Sequence, residues 1–270
     1  MPELAATIMI KILLKPFQRT IMLRFLFLLF VPCLTFANVE AELGAYSNFI
    51  WRGTTFTENK PAIQGQLDAE GKHGFYLGLF TSNAEFEDPG QGPDFQLTQE
   101  VDYTVGKRWR GENWETQVYY SVFTFPGAGT YDTDEWNFLG KFHNFTLELS
   151  LMDDFFGYSS VYRYVRAGHE WLWRPDLEAA LYVGYNMFTR PRGSYYLSGS
   201  GNDSLDGAGN SDYFDVFFLN RKTFENEMAV EFAVNWTNRK EYSVDSAEDV
   251  TTDRAKDTAV VVALIMPFTL

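Results

Sequence analysis

The chain has one cysteine, Cys33, and three histidines, His73, His143 and His169, among 270 residues. Cys33 lies inside an N-terminal apolar segment, so the chain beyond it can form neither a disulfide nor a thiolate metal site. After Ala37 no uninterrupted apolar run approaches the ~20 residues that a membrane-spanning helix needs. Positive charge is scarce as well: residues 38–270 carry 18 Lys and Arg against 35 Asp and Glu, a formal charge of −17. That excess repels phosphate and argues against nucleic acid as a partner. Aromatic residues are abundant instead, at 17%. An aromatic-rich chain with no long apolar run and no cysteine beyond its leader points to an exported all-β protein.

The segment "MLRFLFLLFVPCLTFA", Met22 to Ala37, has the basic residue, apolar core and small-residue exit of a secretory signal peptide. Thr35-Phe36-Ala37 supplies the cleavage site. Met1 to Ile21, with Lys11, Lys15 and Arg19, then forms a long n-region or precedes the true start. A membrane-anchoring helix is disfavoured because the apolar stretch is too short. A lipid anchor on Cys33 is disfavoured because Pro32 stands where a lipobox wants a small residue. The expected organisation is a signal peptide over 1–37 and a single domain over 38–270.

Alternation of apolar and polar residues dominates from residue 41 onward. In "AELGAYSNFIWR" Leu43, Ala45, Phe49 and Trp51 oppose Glu42, Asn48 and Arg52, with Ser47 the exception. "FQLTQEVDYTVG" and "NEMAVEFAVNW" show the same dyad with better contrast. Twelve strands are expected, near 41–51, 61–70, 74–84, 95–107, 114–124, 134–141, 144–152, 159–173, 177–187, 212–221, 226–236 and 257–270. Most match the ~9–11 residues of a tilted membrane-crossing strand. Connections alternate between tight turns, such as "GKH" at 71–73, and longer loops, such as 188–211. This points to a transmembrane antiparallel up-and-down β-barrel of about 12 strands, since a soluble sandwich has no reason to gather its long connections at one end. Arg163 and Arg166 fall on opposite faces of the eighth strand, which predicts a bulge or a shifted strand boundary there.

The last strand, "AVVVALIMPFTL", places Val260, Val262, Leu264, Met266, Phe268 and Leu270 on one face. It resembles the signal read by the barrel assembly machinery, although barrels commonly end in Phe, and Ile265 and Ala263 stand where Gly or a polar residue is expected.

With apolar residues facing lipid, the acidic side chains Glu42, Asp68, Glu70, Glu100, Asp102 and Glu115 are expected to line the pore. Glu148, Glu178, Glu227 and Glu231 join them, with Arg52 and Lys141 as basic counterparts. Inward Tyr46, Tyr76 and Tyr182 would narrow the bore. Trp51 and Trp236 are expected in an aromatic girdle at the lipid headgroups, with Arg52 at the pore mouth and Gly53 releasing the chain into the first external loop. Glu42, Glu70, Glu115, Glu178 and Glu227 would gather at the short-turn rim and favour cations, offset by Lys107, Arg108 and Lys141.

A lipid hydrolase would need a histidine beside a nucleophile at the outer leaflet. His73 and His143 fall in short turns, and His169 near the same end of its strand, which weakens that reading. The loop "SGSGNDSLDGAGNSD", 198–212, offers Asp203, Asp206, Asn210 and Asp212 to calcium but lacks EF-hand spacing. A solvated loop is the simpler reading, and no cofactor or metal is expected.

The stretch "SNFIWRGTTFTENKPAIQGQLDAEGKHGFYLGLFTSN" resembles the opening of the TorF-like porins, also called the Gcw_chp family. The shared order is Ser47-Asn48, Trp51-Arg52-Gly53, Pro61 to Gly65, Gly74 to Tyr76 and Ser82-Asn83. The resemblance is close over roughly 40 residues and looser beyond. It implies a bacterial outer-membrane location; the leading expectation is a non-enzymatic barrel, in contact with membrane lipid and lipopolysaccharide, that passes small hydrophilic solutes by diffusion. A surface-lipid enzyme and a non-conducting structural or adhesive barrel are the alternatives.

Overall fold

The computed structural model describes residues 38–85, 98–156, 161–189, 212–238, 240–246, 249–254 and 258–269. The expected signal peptide and residues 198–211 of the acidic loop lie outside these.

The elements are β1 (Asn38–Tyr46), β2 (Ile50–Trp51), β3 (Thr54–Thr55), β4 (Ala62–Glu70), β5 (Phe75–Asn83), β6 (Gln99–Arg110), β7 (Trp114–Thr124) and β8 (Thr133–Phe142). They continue with β9 (Phe145–Met152), β10 (Val161–Arg174), β11 (Leu177–Thr189), β12 (Tyr213–Thr223), β13 (Ala229–Thr237), β14 (Lys240–Ser246), β15 (Asp249–Arg254) and β16 (Thr258–Thr269). Twelve of them close into one antiparallel barrel, in the order β1-β16-β13-β12-β11-β10-β9-β8-β7-β6-β5-β4. β1 closes the ring by pairing with β16 on one side and β4 on the other, so no edge is left open. Two small hairpins, β2–β3 and β14–β15, stand apart from the barrel sheet.

The alternation sets which face is inside. In β9 Phe145, Leu147, Leu149 and Leu151 are exposed while Thr146, Glu148, Ser150 and Met152 are buried. In β8 Glu135 is 2% exposed and its neighbour Trp136 is 52% exposed. Carboxylates inside and large apolar residues outside invert a soluble protein, and they match a barrel whose solvent is lipid.

Short connections, such as 111–113, 143–144 and 175–176, lie at the end that holds both termini of the barrel, and the long ones lie at the other. The short-turn end carries an outward aromatic band of Trp109, Trp114, Phe142, Phe145, Trp173 and Phe224. Aromatic rings with a polar edge settle at the headgroup level, so this is a girdle. Trp236 is exposed near the long-loop end of β13.

The structure corrects four expectations. β1 ends at Tyr46 rather than running on to residue 51, because the chain turns inward at Ser47. Glu227 is not on a strand: β13 begins at Ala229, and Glu227 sits exposed in the turn with φ +65°. β10 is regular through Arg163 and Arg166, and its bulge falls at Leu172/Arg174 instead. The last long connection, expected to be loop, holds the hairpin β14–β15.

Candidate functional site: an inserted hairpin across the lumen

Ser47 is tied to β16, by its N–H to the Val262 carbonyl at 2.9 Å and by its Oγ accepting from the Val262 N–H at 3.0 Å. Beyond it β2 and β3 form a hairpin whose two turn residues, Arg52 (φ +48°) and Gly53 (φ +81°), both lie in the left-handed region. That is a type I′ turn, the two-residue turn whose twist matches a hairpin. Holding a non-glycine residue there costs on the order of 1 kcal/mol, and such strain persists where the surroundings fix it.

Asn48 organises the inside of the segment. Its Nδ2 donates to Asn59 at 3.0 Å, and its Oδ1 accepts from Thr55 Oγ1 at 2.7 Å. Gly53 packs on the wall, where an added Cβ would meet Asp215 Cβ at 3.0 Å. Tyr213 Oη donates to the Arg52 carbonyl at 3.0 Å. At the far end of the segment Lys60 pairs with Glu85, whose carboxylate holds the ammonium above its ordinary range.

Trp51 is therefore not in the girdle. Its ring lies in an interior cluster, 5.4 Å from Phe156, 5.8 Å from Phe56, 5.9 Å from Tyr162 and 6.2 Å from Phe123, centroid to centroid. Phe49, Phe125 and Phe155 complete an aromatic cluster at the long-loop end of the barrel. Burial of these rings is what draws the hairpin inward.

Arg52 reaches from this mass to the wall, with its side chain 9% exposed. Nη1 and Nη2 donate to the two Glu135 oxygens at 2.6 and 2.8 Å. Nη2 also lies 3.3 Å from Glu148 Oε1 and 2.7 Å from Ser150 Oγ. The guanidinium carbon stands 4.4 Å from the Trp51 centroid and 4.4 Å from the Tyr164 centroid, a cation held between two aromatic rings. Arg52 thus belongs to the lumen, not to the outer mouth.

Other inward groups form a belt at this level. Arg166 pairs with Glu148 at 2.6 Å. Asp215 accepts from Asn186 Nδ2 at 2.9 Å and from Tyr164 Oη at 3.2 Å. Glu100 is buried and Asp102 half-buried, and each keeps one buried oxygen without a hydrogen-bond partner.

The short-turn mouth is electrostatically paired. Glu70 is held by Arg108 at 2.6 Å and by Arg110 at 2.9 Å, and Arg110 Nε reaches Glu115 at 2.8 Å. Arg221 pairs with Glu231 at 3.2 Å and approaches Glu42 at 3.7 Å. Glu178 stands opposite Arg221 in register, and Lys141 pairs with Glu170 at 3.1 Å. Asp68 accepts from Gln66 at 2.5 Å. Asp68, Glu70, Tyr76, Arg108 and Arg110 line a cavity of about 480 Å³ here.

Arg110, Arg166, Glu135, Glu170 and Asp215 escaped the sequence reading. All five sit on the inner dyad; alternation from Asp102 reaches Arg110 and from Lys141 reaches Glu135, whereas β10 and β12 offered no assigned lumen residue to count from. Of the acidic loop, Asp212 is described: it accepts from the Phe188 N–H at 2.9 Å and from Tyr185 Oη at 3.2 Å, which commits both its oxygens to the protein.

Among solved structures, the chain is similar to the KdgM porin in complex with disordered oligogalacturonate. The TM-score is 0.48 at 6% identity, over 86% of this chain and 99% of that one. A second KdgM porin structure gives 0.47 at 7% identity, over 84% and 97%. OccK1 (OpdK) of Pseudomonas aeruginosa gives 0.38 at 10% identity, over 86% and 66%. No curated protein matches the chain. The closed barrel with its apolar exterior is that of a bacterial outer-membrane protein. Residues 35–197, more than half of the chain, match the model described as "Bacterial protein of unknown function (Gcw_chp)", and the chain belongs to that family.

Proposed function

We propose that this barrel is an outer-membrane channel for small hydrophilic solutes, narrowed from within by residues 47–61 and preferring cations. The observation that carries the reading is the Arg52 hairpin lodged across a lumen lined by charge. A wall built only for structure has no need of ionised groups inside, whereas a water-filled passage does.

The preference follows from the charge count at the belt. Glu100, Asp102, Glu135, Glu148 and Asp215 face two guanidiniums, Arg52 and Arg166. Acidic excess at a narrow, partly dehydrated level raises the local cation concentration and repels anions. The rim glutamates contribute less than the sequence suggested, because Arg108, Arg110 and Arg221 meet them.

The aromatic mass around Trp51 favours one other reading, a barrel that conducts nothing until the hairpin moves. Planar-bilayer recording under a KCl gradient separates the two. Small cation-selective steps from the wild-type protein support the channel. Silence from the wild type together with steps from Arg52→Ala supports the closed barrel. Anion selectivity overturns the charge argument.

A further inference from the structure

Glu100 and Asp102 lie two residues apart on β6 and so point to the same side, into the barrel. Ser82 and Phe80 flank them on β5, and Phe123 opposes Asp102 on β7. Glu100 is 2% exposed. Glu100 Oε2 and Asp102 Oδ1 are both shut off from bulk solvent and accept from no N–H or hydroxyl donor, and the two carboxyl groups lie within hydrogen-bond reach of each other.

The basic groups of the lumen are engaged elsewhere. Arg52 serves Glu135 and Glu148, and Arg166 serves Glu148. Lys141 serves Glu170, Arg108 and Arg110 serve Glu70 and Glu115, and Arg221 serves Glu231 and Glu42. Among the described residues no ion pair reaches Glu100 or Asp102. Two carboxylates side by side, each with a buried oxygen lacking a donor, are a hard-oxygen donor set of the kind that suits a divalent cation.

We infer that Glu100 and Asp102 form a binding site for a hydrated divalent cation of the calcium–magnesium class inside the barrel. One such ion matches the two negative charges, where a monovalent ion leaves one over. Among the described residues no third acidic or histidine side chain completes a protein-only shell, so water supplies the remaining ligands. Magnesium takes one or two carboxylates and keeps several waters, and calcium accepts a looser version of the same set. The inference goes beyond the channel reading and does not depend on conduction.

The test uses purified full-length protein in detergent, stripped with EDTA and titrated calorimetrically with CaCl₂ and with MgCl₂ at pH 8. One saturable site per barrel is expected for at least one of the two ions, and the better ligand identifies the preferred cation. Glu100→Gln/Asp102→Asn should weaken that binding at least tenfold. Asp203→Asn/Asp206→Asn, in the acidic loop, should leave it within twofold of the wild type. Failure to saturate with either ion overturns the inference. So does affinity that survives in the Glu100→Gln/Asp102→Asn protein, or that disappears with the loop substitutions. If the double variant gives no heat-modifiable folded band, Glu100→Gln alone is titrated, and unchanged affinity there overturns the inference equally.

Discussion

Arg52 and Glu135 stand 83 positions apart in sequence and meet through paired hydrogen bonds of 2.6 and 2.8 Å. The contact joins an inserted hairpin to the long-loop half of the barrel wall. Bidentate pairing with a carboxylate needs the planar guanidinium fork, which explains why arginine rather than lysine follows Trp51.

Breaking a buried pair by removing one partner costs about 3–5 kcal/mol, because the other charge is left uncompensated. Arg52→Ala should therefore lower the unfolding midpoint and enlarge the conductance, as the hairpin loses its anchor. Arg52→Lys should recover only part of the loss. The double variant Arg52→Met/Glu135→Leu should be closer to wild type than either single change, since no unpaired charge remains. Equal midpoints for all four proteins would show that the pair fixes nothing.

Gly53 is under two constraints, a φ of +81° and an Asp215 Cβ only 3.0 Å from where its own Cβ would be. Gly53→Ala should cost more than ~1 kcal/mol, whereas the same change at an unstrained site stabilises by about 0.4–1 kcal/mol. Gly65 is the control: an added Cβ there meets Thr81 Cγ2 at 3.5 Å, an ordinary contact. Chemical denaturation of the two variants side by side decides it, and equal losses would refute the strain.

Trp51 packs among interior rings, while Trp109, Trp114 and Trp173 lie outside at the short-turn girdle. In single-tryptophan variants, lipid-attached quenchers should dim the three girdle residues and leave Trp51 nearly unchanged. Strong quenching of Trp51 would place the hairpin on the wrong side of the wall.

The strand ladder was legible in the sequence because a two-residue period repeated twelve times leaves few alternatives. Its boundaries mostly fell within a few residues of those observed. The candidate site was not legible, and Trp51 shows why. "NFIW" alternates as a strand does, and periodicity cannot tell a ring that meets lipid from one that meets Phe156 across the bore. The cue was in Arg52-Gly53, which suits a turn with both φ values positive once glycine is given its usual meaning. The Arg110–Glu70 pairing at the rim was hidden differently, since it joins separate strands whose register no single segment specifies.

Selectivity should follow the belt rather than the rim. At the rim Glu70 and Glu115 meet Arg108 and Arg110, two charges against two, so neutralising all four changes the local field little. At the belt Glu100 and Asp102 have no basic partner among the described residues, and neutralising them removes uncompensated charge. Screening over about 8–10 Å at physiological salt keeps each cluster's influence local. In a KCl gradient with EDTA present, Glu100→Gln/Asp102→Asn should move the reversal potential towards zero. The quadruple variant Glu70→Gln/Arg108→Gln/Arg110→Gln/Glu115→Gln should leave it near that of the wild type. The opposite pattern would put the selective charge at the short-turn mouth and make the inner acids mere lining.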